Sequence, residues 1–129
     1  MNAVLKSDDA QLSSLFERLA ARAPALITTT AEQRADKLRR LVKAVIDARP
    51  AIIEAGRAEL RLNETDIDAQ LLMVKTEGEF IARNLKNWMG RHPVKGSLMS
   101  LGKKSYVQYE PKGVVLNLAT WNAPVAIGL

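Results

Sequence analysis

The stretch "GVVLNLATWNAPVAIGL", residues 113–129, constrains the fold more than any other part of this chain. Residues 113–119 are almost continuously apolar, the pattern of a strand covered on both faces in a parallel sheet. A tight turn follows, and Ala123-Pro124 then opens a helix, because proline fits the first helical turn. A parallel strand needs parallel neighbours reached through crossover helices, and no sequence remains after it to supply them. Val125, Ile127 and Leu129 likewise have nothing downstream to pack on. The expectation is the front portion of a larger α/β protein.

Upstream, residues 8–90 carry four helical patterns. Leu12, Leu15, Phe16, Leu19 and Ala23 recur three and four apart, so they share one face of a first helix that Pro24 is expected to end. Thr30 and Gln33 have capping-box spacing ahead of a second helix, with Ala35, Leu38, Leu41, Val42, Val45 and Ile46 on its face. Pro50 suits the first turn of a third helix. Thr65 and Asp68 are candidate caps for a fourth, whose apolar stripe runs Ile67, Leu71, Val74, Gly78, Ile81, Leu85 and Trp88. Gly78 within that stripe costs about 1 kcal/mol relative to alanine, which predicts a close neighbouring backbone. "GRHPVKGS" is loop chemistry, and the alternation around Tyr106, Val107, Gln108 and Tyr109 predicts a strand.

Composition narrows the chemistry. Hydrophobic content of 47% and charged content of 26% describe a globular chain. The first residues lack the apolar core of a secretory signal, and no apolar run reaches the ~20 residues that span a bilayer, so a cytoplasmic location is expected. No cysteine is present and His92 is the single histidine, so neither a thiolate nucleophile nor a His-based metal cluster can be assembled from these residues. The net charge of +5 raises nucleic-acid binding, with Lys37, Arg39, Arg40 and Lys43 the nearest approach to a basic cluster. Acidic residues alternate with the basic ones there, as on a solvated helix face, which argues against it.

The order strand, turn, helix is the geometry of ligand sites in doubly wound sheets. No glycine-rich phosphate fingerprint is present in "LATWNAP". Asn122 has two readings: the cap of the helix that follows, or a carboxamide donor aimed at a developing oxyanion. Trp121 divides between core packing and a place at the site.

The segment "YEPKGVVLNLATWNAPVAIGL" resembles the E-P-x-G-V-V, strand, W-N-x-P region of the aldehyde dehydrogenase superfamily. The helices upstream are similar to the amino-terminal region of its class 3-like branch, which includes fatty-aldehyde and coniferyl-aldehyde dehydrogenases, and the likeness runs from about residue 10 to the end. The resemblance implies oxidation of an aldehyde to a carboxylic acid with NAD or NADP, through a cysteine nucleophile and a glutamate-activated water. It implies that Asn122 donates its amide to the oxyanion, and that Leu118, Ala119, Thr120 and Trp121 line the nicotinamide-ribose side of the cofactor pocket. It also implies a Rossmann-like nucleotide-binding domain that begins in residues 105–129, after a helical segment and loop over 1–104, and a strand shared in a homo-oligomer.

Three positions depart from the family pattern: Ala123 replaces a common large residue, Asn117 an apolar one, and Lys112 a small or apolar one. Because the nucleophilic cysteine is absent, the 129 residues by themselves are expected to be inactive. The rival expectation is a helical interaction module that offers the Ile67–Trp88 stripe to a partner.

Overall fold

The computed structural model describes residues 9–96, 98–100 and 102–129. They form α1 (Asp9–Ile27), α2 (Ala31–Asp47), α3 (Arg49–Leu60), α4 (Glu64–Trp88), β1 (His92–Val94), a 3₁₀ turn (Leu98–Ser100), β2 (Ser105–Val107) and α5 (Pro124–Gly128). By contacts the described residues fall into two units, one of those up to residue 29 with 110–116 and the other of those between 30 and 109 with 117–129.

In the first unit, α1 runs through Pro24 instead of ending at it. Proline removes one backbone donor, yet the helix continues for three more residues to Ile27. The Thr28 and Thr29 hydroxyls donate to the carbonyls of Ala25 and Leu26 at 3.0 and 2.6 Å and satisfy that last turn. None of α1's residues is buried, and Phe16, Ala20, Ala23 and Pro24 face Pro111–Val114 across a shallow groove.

The second unit is built on α4, which packs on α2, α3 and α5. The α2 start follows expectation: the Gln33 N–H donates to Thr30 Oγ1 at 3.2 Å, and the Thr30 N–H donates to Gln33 Oε1 at 2.9 Å. The α4 cap does not. Asn63 holds that place, its Oδ1 accepting the Asp66 N–H at 2.8 Å, because the helix begins one residue ahead of Thr65. Asp68 bonds Arg49 instead.

The first part of the stripe on α4 is buried inside the chain, whereas Ile81 and Trp88 further along it stay exposed. Ile67 and Leu71 form the core with Ile53, and Val45, Ile46, Ile52, Leu62 and Val125 pack around them. Ile67 is 1% exposed. Gly78 is buried, but its close neighbour is a side chain and not backbone: a Cβ there would lie 2.5 Å from Val42 Cγ2. Two cations of the basic cluster on α2 are ion-paired, Arg39 with Asp36 and Glu79 and Lys43 with Asp47.

Residues 92–94, read above as loop, form a strand antiparallel to β2, with Pro93 opposite Tyr106. In a two-stranded ribbon both strands are edges, so a proline is tolerated. The Arg91 guanidinium lies 4.5 Å from the Tyr106 ring centroid and donates to Gln108 Oε1, which ties the strand's entry to its partner. The strand expected over 113–119 is not formed; residues 108–120 carry neither helix nor strand. A parallel strand exists only through bonds to neighbours, and among the described residues no strand lies beside it. The observed architecture is therefore mostly helical with one small antiparallel sheet.

Candidate functional site

The site region begins where the extended segment turns into α5. Two contacts near the carboxyl end of that helix hold the extended segment beside it. Asn117 Nδ2 donates to the Ile127 carbonyl at 2.7 Å, and Ala119 Cβ lies 3.5 Å from where a Cβ on Gly128 would stand. Residues 117–119 therefore run back alongside α5, and Trp121-Asn122 forms the turn between them. Asn117 is exposed, and this bond gives its amide a partner within the chain.

The α5 N-cap position falls on Ala123, which has no side chain able to accept, so Asn122 is not the cap. Among the described residues the Asn122 carboxamide makes no hydrogen bond, and the residue is exposed. Leu118 is 79% exposed and Trp121 78%, so the packing reading of Trp121 does not describe this chain. Ala119 and Thr120 are exposed as well. The five residues singled out from the sequence thus form one continuous, open turn.

The residue that sequence reasoning passed over is Gln70. Its Oε1 accepts the backbone N–H groups of Val125 at 3.1 Å and Ala126 at 3.4 Å, from a side chain only 6% exposed. A signal was available. Gln70 lies three residues after Ile67 and four before Val74, so it is a polar residue on the apolar side of α4. Beneath α5, Leu38, Val42, Val74, Gly78, Ile81 and Ala126 line a cavity of ≈ 90 Å³. That volume suits a few small atoms and not a nucleotide, for which sites of about 300–1,000 Å³ are usual.

Among the described residues no group of His, Asp and Glu could hold a metal ion, and no helix is long and apolar enough to cross a membrane.

The whole chain, residues 1–129, matches the aldehyde dehydrogenase family. It is 39% identical over 101 residues to a putative aldehyde dehydrogenase, AldX, of Bacillus subtilis (strain 168), covering 78% of this chain and 22% of that one. It is 32% identical over 96 residues to aldehyde dehydrogenase family 3 member A2 of Macaca fascicularis, covering 74% and 19%. Against family 3 member B3 of Mus musculus it is 29% identical over 99 residues, covering 76% and 21%. The chain spans about a fifth of the length of the curated relatives it matches. No solved structure matches it significantly. The turn that closes on α5 and the helices that carry it thus stand within a known lineage, and this chain belongs to the aldehyde dehydrogenase family.

Proposed function

We propose that the chain acts as the amino-terminal segment of an NAD- or NADP-dependent aldehyde dehydrogenase that oxidises an aldehyde to a carboxylic acid. The nucleophilic cysteine comes from outside these residues, since the 129 contain none, and we assign the glutamate base to the same missing part of the enzyme. When an aldehyde carbonyl is attacked, the oxygen gains charge, and the Asn122 amide donates to it. A donor so placed lowers the barrier by about 3–4 kcal/mol, because it is already oriented when the charge forms.

Leu118, Ala119, Thr120 and Trp121 line the nicotinamide-ribose side of the cofactor site. Their open faces fit that group: Leu118 and Trp121 offer apolar surface for a ring, and the turn offers backbone polar groups for a ribose. The cofactor, when bound, accepts the hydride. Residues 113–119 become the first strand of a Rossmann-like sheet once parallel neighbours flank them, with residues 1–104 as a helical segment ahead of it. The β2 strand joins the sheet of a homo-oligomer, in the cytoplasm, and the isolated chain is inactive.

The observation that carries this reading is the unspent Asn122 carboxamide on an exposed turn. The test is a chimera in which residues 1–129 replace the matching segment of the Bacillus subtilis relative, assayed with aldehyde and NAD or NADP. Asn122→Ala is expected to lower kcat by about 10²–10³-fold with little change in KM. An active chimera indifferent to that substitution sinks the oxyanion role. Turnover above background by the 129-residue chain alone sinks the inactivity.

A further inference from the structure

We propose that Gln70 is a positioning residue for Asn122: from α4 it supplies the cap that α5 lacks locally, and so leaves the Asn122 carboxamide unspent. The proposal rests on the oxyanion reading of Asn122 given above.

The donors at the start of α5 can be counted completely. Pro124, the first helical residue, has no N–H. Ile127, the fourth, already donates to the Ala123 carbonyl at 3.1 Å. Only Val125 and Ala126 are left, and those two are the groups Gln70 Oε1 accepts. In most helices a serine, threonine, aspartate or asparagine at the cap takes this work. Here the cap is Ala123, and the nearest residue able to do it is Asn122. If α5 began one residue earlier, Asn122 Oδ1 would accept the Val125 N–H, and its NH₂ would be fixed by capping geometry and not by the substrate.

Gln70 removes that competition. Its acceptor reaches α5 across a sequence separation of 55 residues, from a helix whose neighbouring Ile67 and Leu71 are buried in the core. At the other end, Asn117 Nδ2 holds the Ile127 carbonyl. These two side chains, together with Val125 packed against the Ile53–Ile67–Leu71 core, hold α5 in place. The turn bearing Asn122 hangs from a helix pinned to the core.

The test uses the 129-residue chain labelled with ¹⁵N. Gln70→Leu keeps the shape and removes the acceptor, whereas Gln70→Glu keeps an acceptor. Amide exchange at Val125 and Ala126 is expected to quicken about tenfold or more in Gln70→Leu and to return close to the original rate in Gln70→Glu, with α2 and α4 amides unchanged in both. The Asn122 side-chain NH₂ resonances should move in Gln70→Leu alone. Equal exchange in Gln70→Leu and the unaltered chain overturns the proposal. Should Gln70→Leu fail to fold, the unaltered chain decides: absence of a scalar coupling from the Val125 amide to the Gln70 side-chain carbonyl overturns it equally. If these measurements come out as expected while Asn122→Ala leaves kcat of the chimera intact, the cap stands as geometry but its purpose is lost, which overturns the proposal through the oxyanion reading.

Discussion

Arg49 of α3 and Asp68 of α4 meet as a two-point fork: Arg49 Nε lies 2.6 Å from Asp68 Oδ1, and Arg49 Nη2 lies 2.7 Å from Oδ2. Glu64 extends it, accepting from Arg49 at 2.6 Å and from Arg57 at 2.9 Å. The planar guanidinium matches a carboxylate edge to edge, so the fork sets the angle at which α3 enters α4. The angle matters because Ile53 of α3 packs on Ile67 and Leu71.

Arg49's hydrogen bonds hold the Asp68 carboxyl below its ordinary pKa. A carboxyl depressed by folding stabilises the fold above its unfolded pKa, about 3.9, and that contribution is lost as pH falls through the lower folded value. Asp68→Asn should therefore be less stable than the unaltered chain at neutral pH, with the gap constant down to about pH 5 and closing below about pH 4. Urea midpoints measured across pH decide it. Parallel profiles for the two chains would show that the fork contributes nothing through ionisation.

What could be foreseen from the sequence follows the range of each interaction. The Thr30–Gln33 box was legible because its partners lie three residues apart and one turn contains them. The stripe on α4 was legible for the same reason, since its period is local. Pro24 misled because a proline removes one donor without ending the helix, and the carbonyls of the last turn, Ala25 and Leu26, are met by two threonine hydroxyls just beyond it. Thr65 lost the cap to Asn63, two residues earlier, and nothing within one turn separates those candidates. At the site, the turn at Asn122 was readable and its support was not. Gln70 reaches α5 from across the chain, and no periodicity marks which backbone groups a buried amide will choose. The strand over 113–119 depends wholly on neighbours, so its apolar pattern states what it could pair with and not what it does pair with here.

Gly78→Ala sets two effects against each other. Alanine gains about 1 kcal/mol of helix propensity. Its Cβ, however, would lie 2.5 Å from Val42 Cγ2, and a β-branched side chain cannot swing away within its rotamer. Overpacking of this kind costs about 1–3 kcal/mol, so the substitution should destabilise on balance. In a Val42→Ala background the obstacle is gone, and Gly78→Ala should become stabilising. A double-mutant cycle by urea unfolding measures this, and additive effects would refute the contact.

Thr30→Ala removes the acceptor of the Gln33 N–H and should cost about 0.5–2 kcal/mol, while Thr30→Ser should recover most of it. A second readout is independent of stability. The Glu32 carboxyl titrates below its ordinary value because of a backbone hydrogen bond at Glu32 and a further one from the Thr30 side chain, with Lys86 adding attraction. Thr30→Ala should therefore move the Glu32 pKa upward, seen by NMR titration of its side-chain carbonyl. An unmoved Glu32 would separate the cap from the carboxyl.

Leu118 and Trp121 are each more than three-quarters exposed, 79% and 78%, although they are among the most apolar residues of the chain. Burying such a side chain gains about 1.5–3 kcal/mol, and the unpaired backbone of residues 108–120 presents open donors and acceptors beside them. Both features favour joining to whatever apolar surface is at hand, and in a solution of this chain alone that surface is another copy. Sedimentation velocity should therefore show association that grows with concentration, and Leu118→Ser with Trp121→Ser should shift the chain to monomer. The same pair should leave the urea midpoint of the chain nearly unchanged, because neither side chain contributes to the Ile53–Ile67–Leu71 core. A monomer at every concentration, or a midpoint that falls with the substitutions, would mean that these side chains are engaged within their own chain, and would remove the open apolar face on which the cofactor-lining role of the turn depends.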